Sequence, residues 1–123
     1  MSLSEPPTTI HRRRLDAHRR VPVDLDHLRR QTFGDEALQR RVLGMFAREA
    51  ARLCEKLKEA ETLDERRRTA HALVGSARNV GAFTMADIAS QIERSDAPVA
   101  GRLRALDQAV QRARAFIAET LSG

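Results

Sequence analysis

From Leu38 to Leu121 the apolar residues of this chain recur at intervals of three and four, the period of one face of an α-helix. Residues suited to starting or stopping helices punctuate the pattern. Asp24 stands where it can N-cap a short helix over residues 24–31, and Phe33-Gly34 reads as a turn. Asp35 then caps a long helix ending near Ala60, with Leu38, Val42, Met45/Phe46, Ala50, Leu53 and Leu57 as its stripe. Thr62-Leu63-Asp64-Glu65 is a capping box, and the helix it opens runs to Val80 and stops at Gly81. Thr84 is the expected cap of a fourth helix, Met85 to Arg94, with Met85, Ile88, Ala89 and Ile92 inward. Asp96-Ala97-Pro98 reads as the start of a fifth, striped by Val99, Leu103, Leu106, Val110, Ala113, Ile117 and Leu121, with Gly101 in its first turn. Short connections between amphipathic helices imply antiparallel neighbours. The expected fold is all-α: an antiparallel up-down-up-down four-helix bundle with a short leading N-terminal helix.

The residue types agree. Alanine (19) and leucine (13) dominate the apolar set, valine and isoleucine together number 11, and tryptophan and tyrosine are absent. Such material favours helices over strands. At 123 residues the chain is the size of one domain, too short for a nucleotide-binding catalytic domain of ordinary size. No apolar run approaches the ~18 residues of a membrane span. Arg12, Arg13 and Arg14 fall where the apolar core of a secretory signal would lie, so the cytoplasm is the expected compartment. A lone Cys54 excludes an internal disulfide and a cysteine-based zinc cage.

The formal charge of +5 is uneven: residues 1–21 hold five arginines against Glu5 and Asp16, a balance of +3. This segment, with Pro6 and Pro7 and few apolar residues, is expected to be a basic mobile arm, leaving 22–123 as the folded domain. A basic arm can touch nucleic acid or an acidic partner, or be no more than a solvated extension.

The third helix carries the one residue that its core does not explain. Projected at about 100° per residue, Ala70, Leu73, Ala77 and Val80 gather on one side and His71 falls opposite them, toward solvent. Arg67 and Arg68 lie one turn before it on that face, Val74 and Gly75 one turn after, and Arg78 two turns after. A glycine inside a well-capped helix costs about 1 kcal/mol relative to alanine, and its use is close approach of another body. An exposed imidazole, guanidinium groups and clearance for a partner together suit phosphoryl transfer: imidazole is nucleophilic near neutral pH, and arginine offers planar donors for phosphate oxygens. A histidine on a polar helix face is otherwise ordinary surface. His11, His18 and His27 have no such surroundings and read as tail or surface residues, and no second His or Cys stands at metal-ligand spacing from His71.

The segment His71-Ala72-Leu73-Val74-Gly75-Ser76-Ala77-Arg78-Asn79-Val80-Gly81-Ala82 resembles the signature of histidine-containing phosphotransfer (HPt) domains, roughly His-x-Leu-Lys-Gly-Ser-Ala-x-x-x-Gly-Ala. Leu25 and Leu28, then Phe33-Gly34-Asp35 and the stripe to Phe46, look like the family's leading and first bundle helices, so that the resemblance covers residues 23–121. Ile92-Glu93 looks like the end of its fourth helix. The resemblance implies that His71 is the phosphoacceptor, through Nε2, and that Glu93 bonds the other ring nitrogen. At the edge of an apolar face (Ile88, Ile92), Glu93 can reach a neighbouring helix; a plain salt bridge to an arginine is the alternative use. One departure stands out. The family's usual lysine three residues after the histidine is Val74 here, so positive charge for the phosphoryl group falls to Arg78 first, then to Arg67 or Arg68. Gly75 and Val74 are the expected partner-docking positions.

No glycine-rich phosphate loop or ATP site is visible. The expected role is therefore a phosphocarrier, not a complete enzyme, with no cofactor of its own and with magnesium on the receiver partner. The implied partners are response-regulator receiver domains and a hybrid sensor histidine kinase, engaged by a monomer and away from membranes. Two rival readings remain: a receiver-binding adaptor with an impaired phosphate site, and a basic helical nucleic-acid-binding protein. The lack of tryptophan and tyrosine for base stacking and the near-neutral body argue against the latter.

Overall fold

The computed structural model describes residues 21–123, and the expected basic arm lies, except for Val21, outside them. Five helices follow one another: α1 (Leu25–Gln31), α2 (Glu36–Lys58), α3 (Leu63–Val80), α4 (Phe83–Arg94) and α5 (Ala100–Ser122). No strand occurs among the described residues.

Three helices start where a side-chain oxygen takes up an orphan N–H. Asp24 accepts from the His27 N–H at 3.1 Å, Asp35 from the Leu38 N–H at 3.0 Å, and Thr62 from the Glu65 N–H at 3.1 Å. The return arm of the capping box reaches one residue further back than the usual pattern, since Glu65 accepts from the Glu61 N–H at 3.1 Å. The other two helices start differently from the expectation. α4 begins at Phe83, with Ala82 as its unassisted cap and Thr84 inside the first turn. The left-handed Gly81 turns the chain so sharply that helix resumes at once from Ala82, which is wholly buried. α5 begins at Ala100, not at Pro98; Val99 is its cap and its carbonyl accepts from the Leu103 N–H at 2.8 Å. Asp96, the expected starter, is held elsewhere (below).

α3 packs against α2 and α4, α5 packs against the same two, and α1 lies against α3 and α2. Each long helix thus faces two others, and its buried arc is wider than a single stripe. This explains the differences along α2. Leu43 and Cys54 are buried with Phe46, Ala50, Leu53 and Leu57, whereas Met45 remains 56% exposed. The α3–α4 contact is the most extensive, and both helices bury alanines: Ala70 and Ala77 on α3, Ala86 and Ala89 on α4. Small side chains let two helix axes approach closely, which brings the edge of α4 within reach of the outer face of α3. The start of α1 is tied to the end of α3, where the Asp24 N–H donates to the Gly81 carbonyl at 2.9 Å.

Candidate functional site

His71 sits at the middle of α3 on the side away from Ala70, Leu73 and Ala77, and its side chain is 76% exposed. Its Nδ1 lies 2.8 Å from Oε2 of Glu93, in the last turn of α4. A carboxylate oxygen only accepts, so this contact puts the proton on Nδ1, which donates. The lone pair is left on Nε2, which has no hydrogen-bond partner among the described residues. Glu93 is 29% exposed, fixed more firmly than the ring it holds. Among the described residues the carboxylate is paired with the imidazole and with no α3 arginine.

The arginines divide sharply. Arg67 pairs with Asp96 in the α4–α5 connection, and Arg68 pairs with Asp64 one turn back at 3.0 Å. Arg78 is exposed and makes no ion pair or hydrogen bond through its side chain among the described residues. Helical side chains lean toward the N-terminus. Arg78, two turns after His71, therefore leans toward the imidazole, while Arg67 and Arg68 lean away from it.

Gly75 opens space beside the ring: a Cβ built there meets no atom within 4 Å. Val74 does not share this surface. It is 5% exposed and belongs to the core, contrary to the expectation that it faces outward with His71. The wide buried arc of α3 takes it in; a lysine's long stem can escape such a position, but a valine can only fill it. An apolar surface does lie nearby in a place the sequence did not indicate. An open groove of about 350 Å³ between α2 and α3 is lined by Val42, Met45, Phe46, Glu49, Ser76, Asn79 and Val80. The stripe of α2 offered Met45 and Phe46 equally to the core, so nothing in the sequence marked Met45 as the exposed one.

Of the remaining histidines, His27 is half-buried, its ring edge-on to Phe83 with centroids 5.2 Å apart; His11 and His18 lie outside the described residues. Among the described residues, no cluster of three or more His, Cys, Asp or Glu side chains is gathered to hold a metal ion. No helix among them is long and apolar enough to cross a membrane. At Cys54, burial pushes the thiol pKa up.

The described residues thus form an all-helical fold that displays one imidazole outward, held through a single ring nitrogen. The family model of the Hpt domain matches residues 41–116, a stretch that includes His71, Gly75 and Glu93, and the chain belongs to the Hpt domain family. Hpt domains are phosphocarrier modules of phosphorelays and work with receiver domains and kinases. No curated protein and no solved structure matches the chain.

Proposed function

We propose that His71 is the phosphoacceptor, carrying a phosphoryl group between the aspartates of receiver domains in a two-component phosphorelay. The observation that carries this reading is the ring held at Nδ1 by Glu93, 2.8 Å away, while 76% of the side chain remains open to a partner. In transfer, the Nε2 lone pair attacks the phosphorus of an aspartyl phosphate. The Nε2–P bond forms, the P–O bond to the aspartate breaks, and the carboxylate leaves with its electron pair. The Nδ1–H stays in place, and the Glu93 carboxylate offsets the positive charge that the ring gains. Arg78 meets the phosphoryl oxygens, and Gly75 admits the receiver's backbone or side chains close to the ring. The magnesium ion and the acidic pocket belong to the receiver.

In this reading the four long helices run as an antiparallel up-down-up-down bundle, supported by their short connections and by the closed ring of packed neighbours. Residues 22–123 act as one monomeric cytoplasmic domain, with residues 1–21 as a basic arm. The decisive experiment incubates the full chain and His71→Ala with phosphorylated receivers. Acid-labile, base-stable label on the wild type alone is the expected result; label retained by His71→Ala overturns the assignment. Val74 in place of a lysine favours one second reading, an adaptor that binds receivers without accepting phosphate. It predicts receiver binding with no label on either chain.

A further inference from the structure

Glu93 stands one residue before the end of α4, and helix ends fray unless something holds them. Ile92 is buried in the core and the Ser95 hydroxyl accepts from the Ala97 N–H at 3.2 Å, but no left-handed cap closes the helix. α4 has neither glycine nor asparagine to form a left-handed cap. Its C-cap Ser95 is extended (φ −93°, ψ 137°), and the cap N–H makes only a 3.3 Å bond to the Ile92 carbonyl. The end of α3 is different: there the Ala82 N–H donates to Ala77 at 2.8 Å and Gly81 is left-handed.

A further hold on the end of α4 comes from α3. Arg66 Nη2 donates to the Ser95 carbonyl at 2.5 Å, and Arg67 Nη2 donates to the Asp96 carboxylate. The extended backbone at Ser95 turns its carbonyl out of the helix direction and presents it to Arg66. The fold accepts a cost for this placement, since Arg66 Nε is buried with no hydrogen-bond partner among the described residues. Arg66 and Arg67 sit about one turn before His71, so the same helix that displays the imidazole also grips the chain just past the carboxylate that orients it.

We propose that Arg66, assisted by Arg67, is a positioning residue that holds the end of α4 so that Glu93 stays against Nδ1 of His71 and Nε2 stays free. Its consequence for transfer rests on His71 being the phosphoacceptor; its consequence for the ring does not. A hydrogen bond from a guanidinium to a half-buried carbonyl is stronger than an exposed ion pair, so Arg66 carries more of the effect than Arg67. Arg67 is thereby occupied in holding the connection and is not available to a phosphate.

The test reads the tautomer of His71 by two-bond 15N–1H correlation in the full chain at alkaline pH, where the ring is neutral. The His71 signals are assigned by their loss in His71→Ala. Wild type is expected to show one species, protonated at Nδ1. Glu93→Ala should give a mixture of both tautomers. Arg66→Met should shift the ring toward that mixture with Glu93 intact, Arg66→Lys should restore much of the wild-type signature, and Arg67→Ala should shift it less. Circular dichroism checks that each variant is folded; if Arg66→Met does not fold, Arg66→Lys and Arg67→Ala still give the ranking. A wild-type tautomer in folded Arg66→Met and Arg67→Ala overturns the proposal, as does a wild-type tautomer in Glu93→Ala. The measurement needs no phosphate, so a chain that fails the labelling experiment can still pass or fail this one.

Discussion

Two glycines, one inside α3 and one capping its end six residues on, answer to different masters. Gly81 has φ +90°, and a Cβ there would stand 2.8 Å from the Asp24 carbonyl oxygen and 3.2 Å from its nitrogen. The molecule demands glycine at that point twice over, once for the left-handed turn and once for the approach of α1. Gly75 is helical, sits in mid-helix, and has nothing within 4 Å of the place a Cβ would take. The fold gains nothing from it and gives up helix propensity. In the proposed function, a residue that costs stability and fills no internal need serves an incoming partner, and its neighbour one turn earlier is His71.

The sharpest way to break this contrast is at Gly81. Gly81→Ala should cost about 2–4 kcal/mol, because the left-handed backbone is strained and the Asp24 backbone must move. Urea denaturation measures it, and an unchanged midpoint would show that α1 is not tied down there. At Gly75 the loss should appear in function. Gly75→Leu should leave the bundle folded yet slow transfer from a phosphorylated receiver by about a hundredfold, the scale of a misplaced reacting pair. Undiminished transfer by a folded Gly75→Leu would mean that no partner comes close at this point. Arg78 sharpens the same surface. Arg78→Ala should slow transfer about tenfold, the worth of one charge-assisted hydrogen bond. Arg104→Ala, on α5 which does not pack against α3, should leave the rate alone. Equal rates for the two variants would remove Arg78 from the phosphate.

The contrast also explains how much of the fold the sequence made legible. Local chemistry was readable: the caps at Asp24, Asp35 and Thr62 and the stop at Gly81 involve atoms within a few residues, and all four stand as the pattern predicted. What failed were the starts of α4 and α5. Asp96 is a good capping residue by type, but Arg67, 29 residues earlier, engages its carboxylate instead. Burial was misjudged for a related reason. A single helix projected alone shows one inner face, yet α2 and α3 each touch several neighbours; Val74 and Leu43 turn inward on a second contact while Met45 is left out. Of the candidate site, the exposure of His71 and the open space at Gly75 were legible, since both depend on the face of one helix. Glu93 was legible as a matter of reach. Arg66 carried no signal at all, because its partner is a backbone carbonyl that any residue at position 95 would supply.

The smallest effect is the one that separates the two glycines most cleanly. Gly75→Ala adds a single methyl group to open space on a helix with nothing to displace. It removes backbone freedom from the unfolded chain and should raise stability by about 0.5–1 kcal/mol, read as a higher urea midpoint with an unchanged slope. Gly81→Ala, the same substitution six residues on, should move the midpoint the other way. If Gly75→Ala stabilises the free protein and also weakens receiver-dependent labelling, the glycine is kept for a visitor at a cost to the host. If it destabilises, something inside the molecule requires that glycine, and the clearance beside His71 is a by-product of packing.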